Sequence, residues 1–184
     1  MVGERKQATS EATVQDHASG LGERTRHAWD ALVAAKLHDE RGDVEGVKLK
    51  RGEVAYVSID GVQLVEPRRA EASTVTDTGL FVVTNQRCVF VGSKRKTEWA
   101  YSKLLEYSLE GEAMAIFNVS NRQKATGVKY TVDHEPQIDA TIAAAIARFH
   151  GDAEHAALLN KLEEDHRRAF AEWEEAGSHA PPTA

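Results

Sequence analysis

The sequence predicts an α+β protein: an antiparallel β-barrel of about seven strands, capped by a helix after the last strand, with further helices at both ends. Three observations predict it. From residue 53 to 133 apolar residues recur with period two, in seven runs separated by turn residues. The segment EPQIDATIAAAIARFHG that follows switches to helical spacing, with one unbroken apolar stripe. Seven short strands with short turns would leave long exposed edges in an open flat sheet, so they point to a sandwich or a small barrel.

Each element can be justified in order. Residues 1–20 are small and polar and read as a disordered or loosely attached arm. Residues 22–47 form an N-terminal helical segment. Trp29, Leu32, Val33 and Leu37 share a face at three- and four-residue spacing, and Gly42 suits the stop. GEVAYVSIDGVQLVEP reads as one long strand with Gly61 as a bulge or kink. PRRAEASTVTDTG reads as a loop, or a loop enclosing a short edge strand.

LFVVT (80–84) and RCVFVGS (87–93) are strands joined at Asn85–Gln86, where Asn85 can adopt positive φ. GSKRK is the next turn, and TEWAY (97–101) the next strand. LLEYSLE (104–110) and AMAIFNVS (113–120) make a hairpin about Gly111–Glu112, and TGVKYTVD (126–133) is the last strand. Pro136 suits a first helical turn. Ile138, Ile142, Ala145, Ile146 and Phe149 form the stripe, and Gly151 suits the position past its end. Asp152 opens a C-terminal amphipathic helix, 152–176. In it Leu159, Leu162, His166, Phe170 and Trp173 form a narrow seam of the coiled-coil kind. Residues 177–184 are a frayed tail.

The chain has 184 residues, with 41% hydrophobic and 28% charged, as in a soluble globular protein. No apolar run approaches the roughly 20 residues that span a bilayer, and the first twenty residues lack the apolar core of a secretory signal, so the cytoplasm is the expected location. Cys88 is the only cysteine and reads as a small buried core residue. The net charge of −6 argues against general nucleic-acid binding. Residues 48–134 carry 13 cations against 10 anions, whereas residues 135–184 carry 4 against 10. A mildly basic middle therefore sits between acidic ends.

Seven strands followed by a capping helix is the element order of the pleckstrin-homology superfold. Residues 79–92, GLFVVTNQRCVFVG, resemble the "G-apolar-apolar-x-T-N-x-R-apolar-x-F" signature of bacterial PH-like and GRAM-related domains. TEWAYSKL (97–104) is similar to the strand in those families that leads into a Tyr-Ser step. The resemblance covers residues 48–150. It implies a PH-like domain over that span and a non-catalytic binding or scaffolding role, and by analogy with bacterial relatives it raises self-assembly. In the signature, Thr84 can hydrogen-bond locally and Arg87 can reach a neighbouring carboxylate or carbonyl, which makes Arg87 structural.

Candidate sites are few. Lys94, Arg95 and Lys96 form a basic knot, with Arg68 and Arg69 in the preceding loop. Eukaryotic PH domains hold phosphoinositide headgroups with basic residues near the first strand loop. Here Glu71 and Asp77 dilute such a pocket, and three exposed cations contribute only about 1 kcal/mol each at an anionic membrane. Peripheral binding to anionic lipid is therefore the rival reading. The seam is the stronger lead. Leu159, Leu162, His166, Phe170 and Trp173 can fold back on the helix carrying Trp29, which otherwise docks that helix on the body. They can also pair with the same helix of another subunit, or accept a foreign protein. The eight histidines include no His-x-x-x-His pair with a nearby acid and no HExxH, so no metal is expected. No nucleophile–base motif or carboxylate pair appears, so neither an enzyme nor a cofactor is expected.

Overall fold

The computed structural model describes the backbone of residues 4–37, 43–68, 71–110 and 113–178, and the side chains of 20–37, 43–67, 74–110 and 113–176. Seven strands are present: β1 Ala55–Arg68, β2 Glu71–Thr84, β3 Arg87–Gly92, β4 Lys96–Ala100, β5 Leu104–Glu110, β6 Met114–Val119 and β7 Thr126–Lys129. Every pair is antiparallel, in the order β4-β3-β2-β1-β7-β6-β5. Strand β1 serves both halves, because Gln63, Leu64 and Val65 pair with β7 while the whole strand pairs with β2. Gly61, at φ 73°, sits in the register shift between Ile59 and Val62, so the expected bulge is present and turns the strand.

One expectation is overturned in this hairpin. The segment 67–79, read as a loop, belongs mostly to β1 and β2, which pair as far out as Arg68 with Glu71. Thr74, Val75, Thr76 and Thr78 are β-branched and suit an extended pleated chain, and they outweigh the turn signal of Pro67 and Gly79. Gly79 lies inside the strand for a steric reason: a Cβ there would come within 2.7 Å of Gly92 Cα on β3.

Helix α2, Glu135–His150, carries Pro136 in its first turn and ends at Gly151, as expected. Its Ile138, Ile142, Ala145 and Ile146 join one core cluster with Phe81, Trp99, Tyr101 and Phe117 from the sheet. Burying each isoleucine contributes about 2 kcal/mol, so the stripe is a principal term in holding helix to sheet. Phe149 is the exception. It stays largely exposed and meets the buried Tyr101 edge-on at 5.6 Å.

The two ends of the ladder, β4 and β5, follow one another through a single 3-10 turn, Tyr101–Lys103. Side chains tie β4 to the region of β7. Trp99 Nε1 donates to Thr126 Oγ1 at 3.0 Å, and Arg122 Nη2 donates to the Glu98 carbonyl at 3.1 Å.

Helix α1 spans Glu4–Ala35. The backbone of residues 4–20, read as a loose arm, is therefore helical. Its Glu, Lys, Gln and Ala residues are good helix formers, and the absence of an apolar stripe hid them. The helix ends before the expected stop. Leu37 takes φ 54°, normally unfavourable for leucine, with its side chain buried. Gly42 lies outside the described residues. Helix α3, Asp152–Ser178, runs antiparallel to α1, as three contacts show. His155 Nε2 donates to the Ala35 carbonyl at 2.8 Å, the Thr25 hydroxyl lies 3.0 Å from the Ala169 carbonyl, and Arg24 meets Glu172 at 3.2 Å. Ala31 and Ala34 of α1, with Leu158, Leu159 and Leu162 of α3, pack against the central cluster. No helix among the described residues is long and apolar enough to cross a membrane.

Candidate functional site

The β2–β3 turn is a structural knot. Arg87 is almost wholly buried, and its Nε and Nη2 donate to the two Glu53 oxygens at 2.7 and 2.9 Å. Nη2 also reaches the Lys48 carbonyl at 3.0 Å, and Nη1 pairs with Glu98. Glu53 accepts the Lys50 N–H at 2.7 Å, and the Thr84 hydroxyl lies 2.8 Å from it. Burial pushes the Glu53 carboxyl up, but these donors outweigh it and hold the carboxyl below its ordinary range. Burial likewise works against the Arg87 charge, and the two carboxylates more than offset it.

Asn85 acts differently from its expected role. Its φ is not positive. Its side chain instead copies a strand partner, accepting the Val54 N–H at 3.0 Å and donating to the Gly52 carbonyl at 3.0 Å. Thr84, Asn85 and Arg87 thus bind the 48–54 segment to the sheet. Cys88 is fully buried beside the Tyr101 hydroxyl at 3.5 Å, and burial pushes its thiol to about 12, so it is no nucleophile at neutral pH.

The basic knot is held from beneath by Asp77. This carboxylate accepts the Lys94 and Arg95 N–H groups at 2.9 and 3.2 Å and the Ser93 hydroxyl at 3.0 Å. The Lys94 N–H contributes most to lowering it to about 2, with burial opposing. Two of the three cations already face carboxylates: Arg95 meets Glu66 at 3.3 Å and Lys96 meets Glu98 at 3.4 Å. The side chain of Arg68 and the whole of Arg69 lie outside the described residues. Of the five cations named from the sequence, the described residues therefore show only Lys94, Arg95 and Lys96.

The α1–α3 seam divides in two. Leu159 and Leu162 are half-buried against the central cluster. Beyond them, Trp29 is 50% exposed, Phe170 39% and Trp173 42%. Trp29 therefore does not dock α1 on the body by burial. It tilts against His166, centroids 5.2 Å apart, while His166 meets Phe170 at 6.3 Å and Phe170 meets Trp173 at 5.7 Å. Together with Gly22, Thr25 and Arg26 these four rings line an open groove of about 310 Å³. Gly22 lies against the Trp173 ring, close enough that a Cβ there would make an ordinary contact 3.5 Å from Nε1. Val33, 46% exposed, extends the apolar line on α1 by one turn.

The structure thus brings Trp29, His166, Phe170 and Trp173 together and places Leu159 and Leu162 beneath them in the packed layer. Sequence reading missed Glu53, Asp77 and His155 as organising residues and gave Asn85 a turn conformation in place of its side-chain role. Their partners lie far away in the chain, and only a backbone trace brings them together. Among the described residues no three His, Cys, Asp or Glu side chains gather as a metal site.

No family model matches this chain. No curated protein matches it either. Among solved structures, the Vps36 N-terminal PH domain is similar at 15% identity and a TM-score of 0.42, over 59% of this chain and 91% of that one.

Proposed function

We propose that this protein is a non-catalytic, PH-like docking module that binds protein through the open face of its α1–α3 pair. The observation that carries this reading is the groove lined by Trp29, His166, Phe170 and Trp173. Large aromatic side chains left 39–50% exposed side by side form the kind of apolar patch that marks interaction surfaces. The core does not need these rings, because Leu159, Leu162 and the α2 stripe already fill the helix–sheet interface.

Attachment to an anionic membrane through the basic turn has less behind it, since Glu66 and Glu98 neutralise two of its cations. Photo-cross-linking tests the docking reading. Val33→p-benzoylphenylalanine should give a discrete adduct in cells, with a second protein or a second copy, and the adduct should vanish when Phe170→Ser and Trp173→Ser are added. The same group at the exposed Leu105 on β5 should give none. An adduct unchanged by the groove substitutions would refute the assignment.

A further inference from the structure

We infer that the occupant of the α1–α3 groove is a cationic amphipathic helix of a different protein. This rests on the docking reading above and names the chemistry of the partner. Two observations support it, one of shape and one of charge.

The shape is that of a helix seat. The groove lies between two antiparallel helices; its apolar surface comes from Trp29, Phe170 and Trp173, with Gly22, Thr25 and Arg26 completing the α1 side and the exposed Val33 one turn beyond. From Gly22 to Trp29 the α1 side runs roughly 10 Å, or two helical turns, at about 1.5 Å per residue. The α3 wall presents His166, Phe170 and Trp173 at four- and three-residue spacing, faced by Trp29 on α1, which suits the ridges of a third helix and makes a local three-helix layer.

The charge selects the sign. Helix α3 carries eight carboxylates and three cations. Glu163 is exposed on the stripe next to His166 and Phe170, and Asp30 flanks Trp29 on α1. Two cations share this rim, Arg26, which lies 3.8 Å from Glu23, and Arg167. The layer as a whole is nonetheless acidic. A second copy would bring two such layers face to face, and like charges across an interface disfavour that association. A helix with an apolar face flanked by Lys or Arg meets the opposite field and is steered to it.

The test uses two fluorescent 18-residue synthetic peptides with the same leucine face. One has lysine and the other glutamate at all remaining positions. Anisotropy should show the lysine peptide binding the full chain at least tenfold more tightly than the glutamate peptide. Its affinity should fall about tenfold between 50 and 500 mM NaCl. Trp173→Ala, which leaves the charge intact, should weaken binding at least tenfold. If that variant loses its native circular dichroism, Val33→Arg at the exposed groove edge takes its place with the same expectation. Asp30→Lys with Glu163→Lys should narrow the preference between the two peptides.

Equal binding of both peptides would overturn the inference. So would wild-type affinity in the groove variants, because the attraction would then be diffuse. A homodimer in low-salt sedimentation that Val33→Arg dissolves would also overturn it. A Val33 adduct with no preference for the lysine peptide removes this inference alone, whereas loss of both the adduct and the peptide binding removes the docking reading as well.

Discussion

Replacing Glu53 with glutamine tests how the Thr84–Arg87 knot is built. The side chain keeps its size, so packing is unchanged. One acceptor oxygen becomes an NH2 group, and each Glu53 oxygen faces at least two donors: Oε1 faces Arg87 Nε and the Thr84 hydroxyl, Oε2 faces the Lys50 N–H and Arg87 Nη2. Whichever way the amide turns, it opposes donors. The buried guanidinium keeps the Lys48 carbonyl and, as its one remaining carboxylate among the described residues, Glu98, which is about one-third exposed. Removing one partner of a buried pair costs about 3–5 kcal/mol, because the remaining charge stays buried and uncompensated. For a chain of this size about 2–4 °C of melting temperature accompanies each kcal/mol, so the midpoint should fall by about 6–20 °C. Circular dichroism melts at pH 7 measure this directly. Glu98→Gln is the internal comparison and should cost about 1 kcal/mol, since water can take over its role. If Glu53→Gln melts within 2 °C of wild type, or Glu98→Gln costs as much, the knot is not what binds the 48–54 segment to the sheet.

Other outcomes follow from the same geometry. Asp139 is raised to about 6, first by burial and further by Glu135, with the hydrogen bond from the Tyr130 hydroxyl opposing. A carboxyl raised in the folded state binds its proton more tightly there, so its contribution grows as pH falls from about 6 toward the ordinary 3.8. Asp139→Asn should therefore raise the melting temperature at pH 7 and flatten the profile between pH 4 and 6. A profile unchanged by the substitution would show that another group titrates there. Gly79→Ala places a methyl group against the β3 backbone, and we expect a cost above about 3 kcal/mol, seen as loss of soluble folded protein or a steep fall in the urea midpoint. A melt within 2 °C of wild type would contradict that packing. Flotation with vesicles rich in phosphatidylserine at 50 mM NaCl should leave the wild type in the bottom fraction. Co-flotation abolished by Lys94→Glu with Arg95→Glu would revive the membrane reading.

The strands were legible because LFVVT (80–84) and Arg87–Gly92 are short apolar, β-branched runs, buried on both faces and bounded by turn residues, while Lys96–Ala100 alternates buried and more exposed side chains. The plug was legible because Ile138, Ile142 and Ile146 repeat as a stripe with no other place to go. The outer half of the β1–β2 hairpin was not, since Pro67, two arginines and Gly79 are also what a loop contains. Only the pairing partner across the hairpin decides between the two. The first turns of α1 were missed for the opposite reason, because a helix with good propensity and no apolar stripe leaves no periodic trace. For the site, spacing showed that His166, Phe170 and Trp173 share a line with Leu159 and Leu162. It could not show that the line leaves the core halfway along, because periodicity states which side chains are neighbours and not what covers them.

That division within α3 is where the fold and the proposed activity meet. The first half of the helix is fixed from several sides. His155 holds the Ala35 carbonyl at the end of α1, and Leu158, Leu159 and Leu162 pack against the cluster that contains Phe81 and Trp99. The second half meets α1 at Thr25, Trp29 and Arg24. The aromatic rings stay partly in water because, among the described residues, only small contacts such as the buried Ala169 continue the packing beyond His166, while Leu158, Leu159 and Leu162 pack against the central cluster before it. The same arrangement keeps the groove in place when it is empty, since α1 is fastened at its far end by His155 and by the buried Leu32 and Ala35. On the proposed docking reading, a partner helix would meet an α1 wall already in place, which would limit the binding energy lost to ordering it. The exposed rings are then a property of where the core ends, and the surface they form is available because the stability of the protein does not depend on covering it.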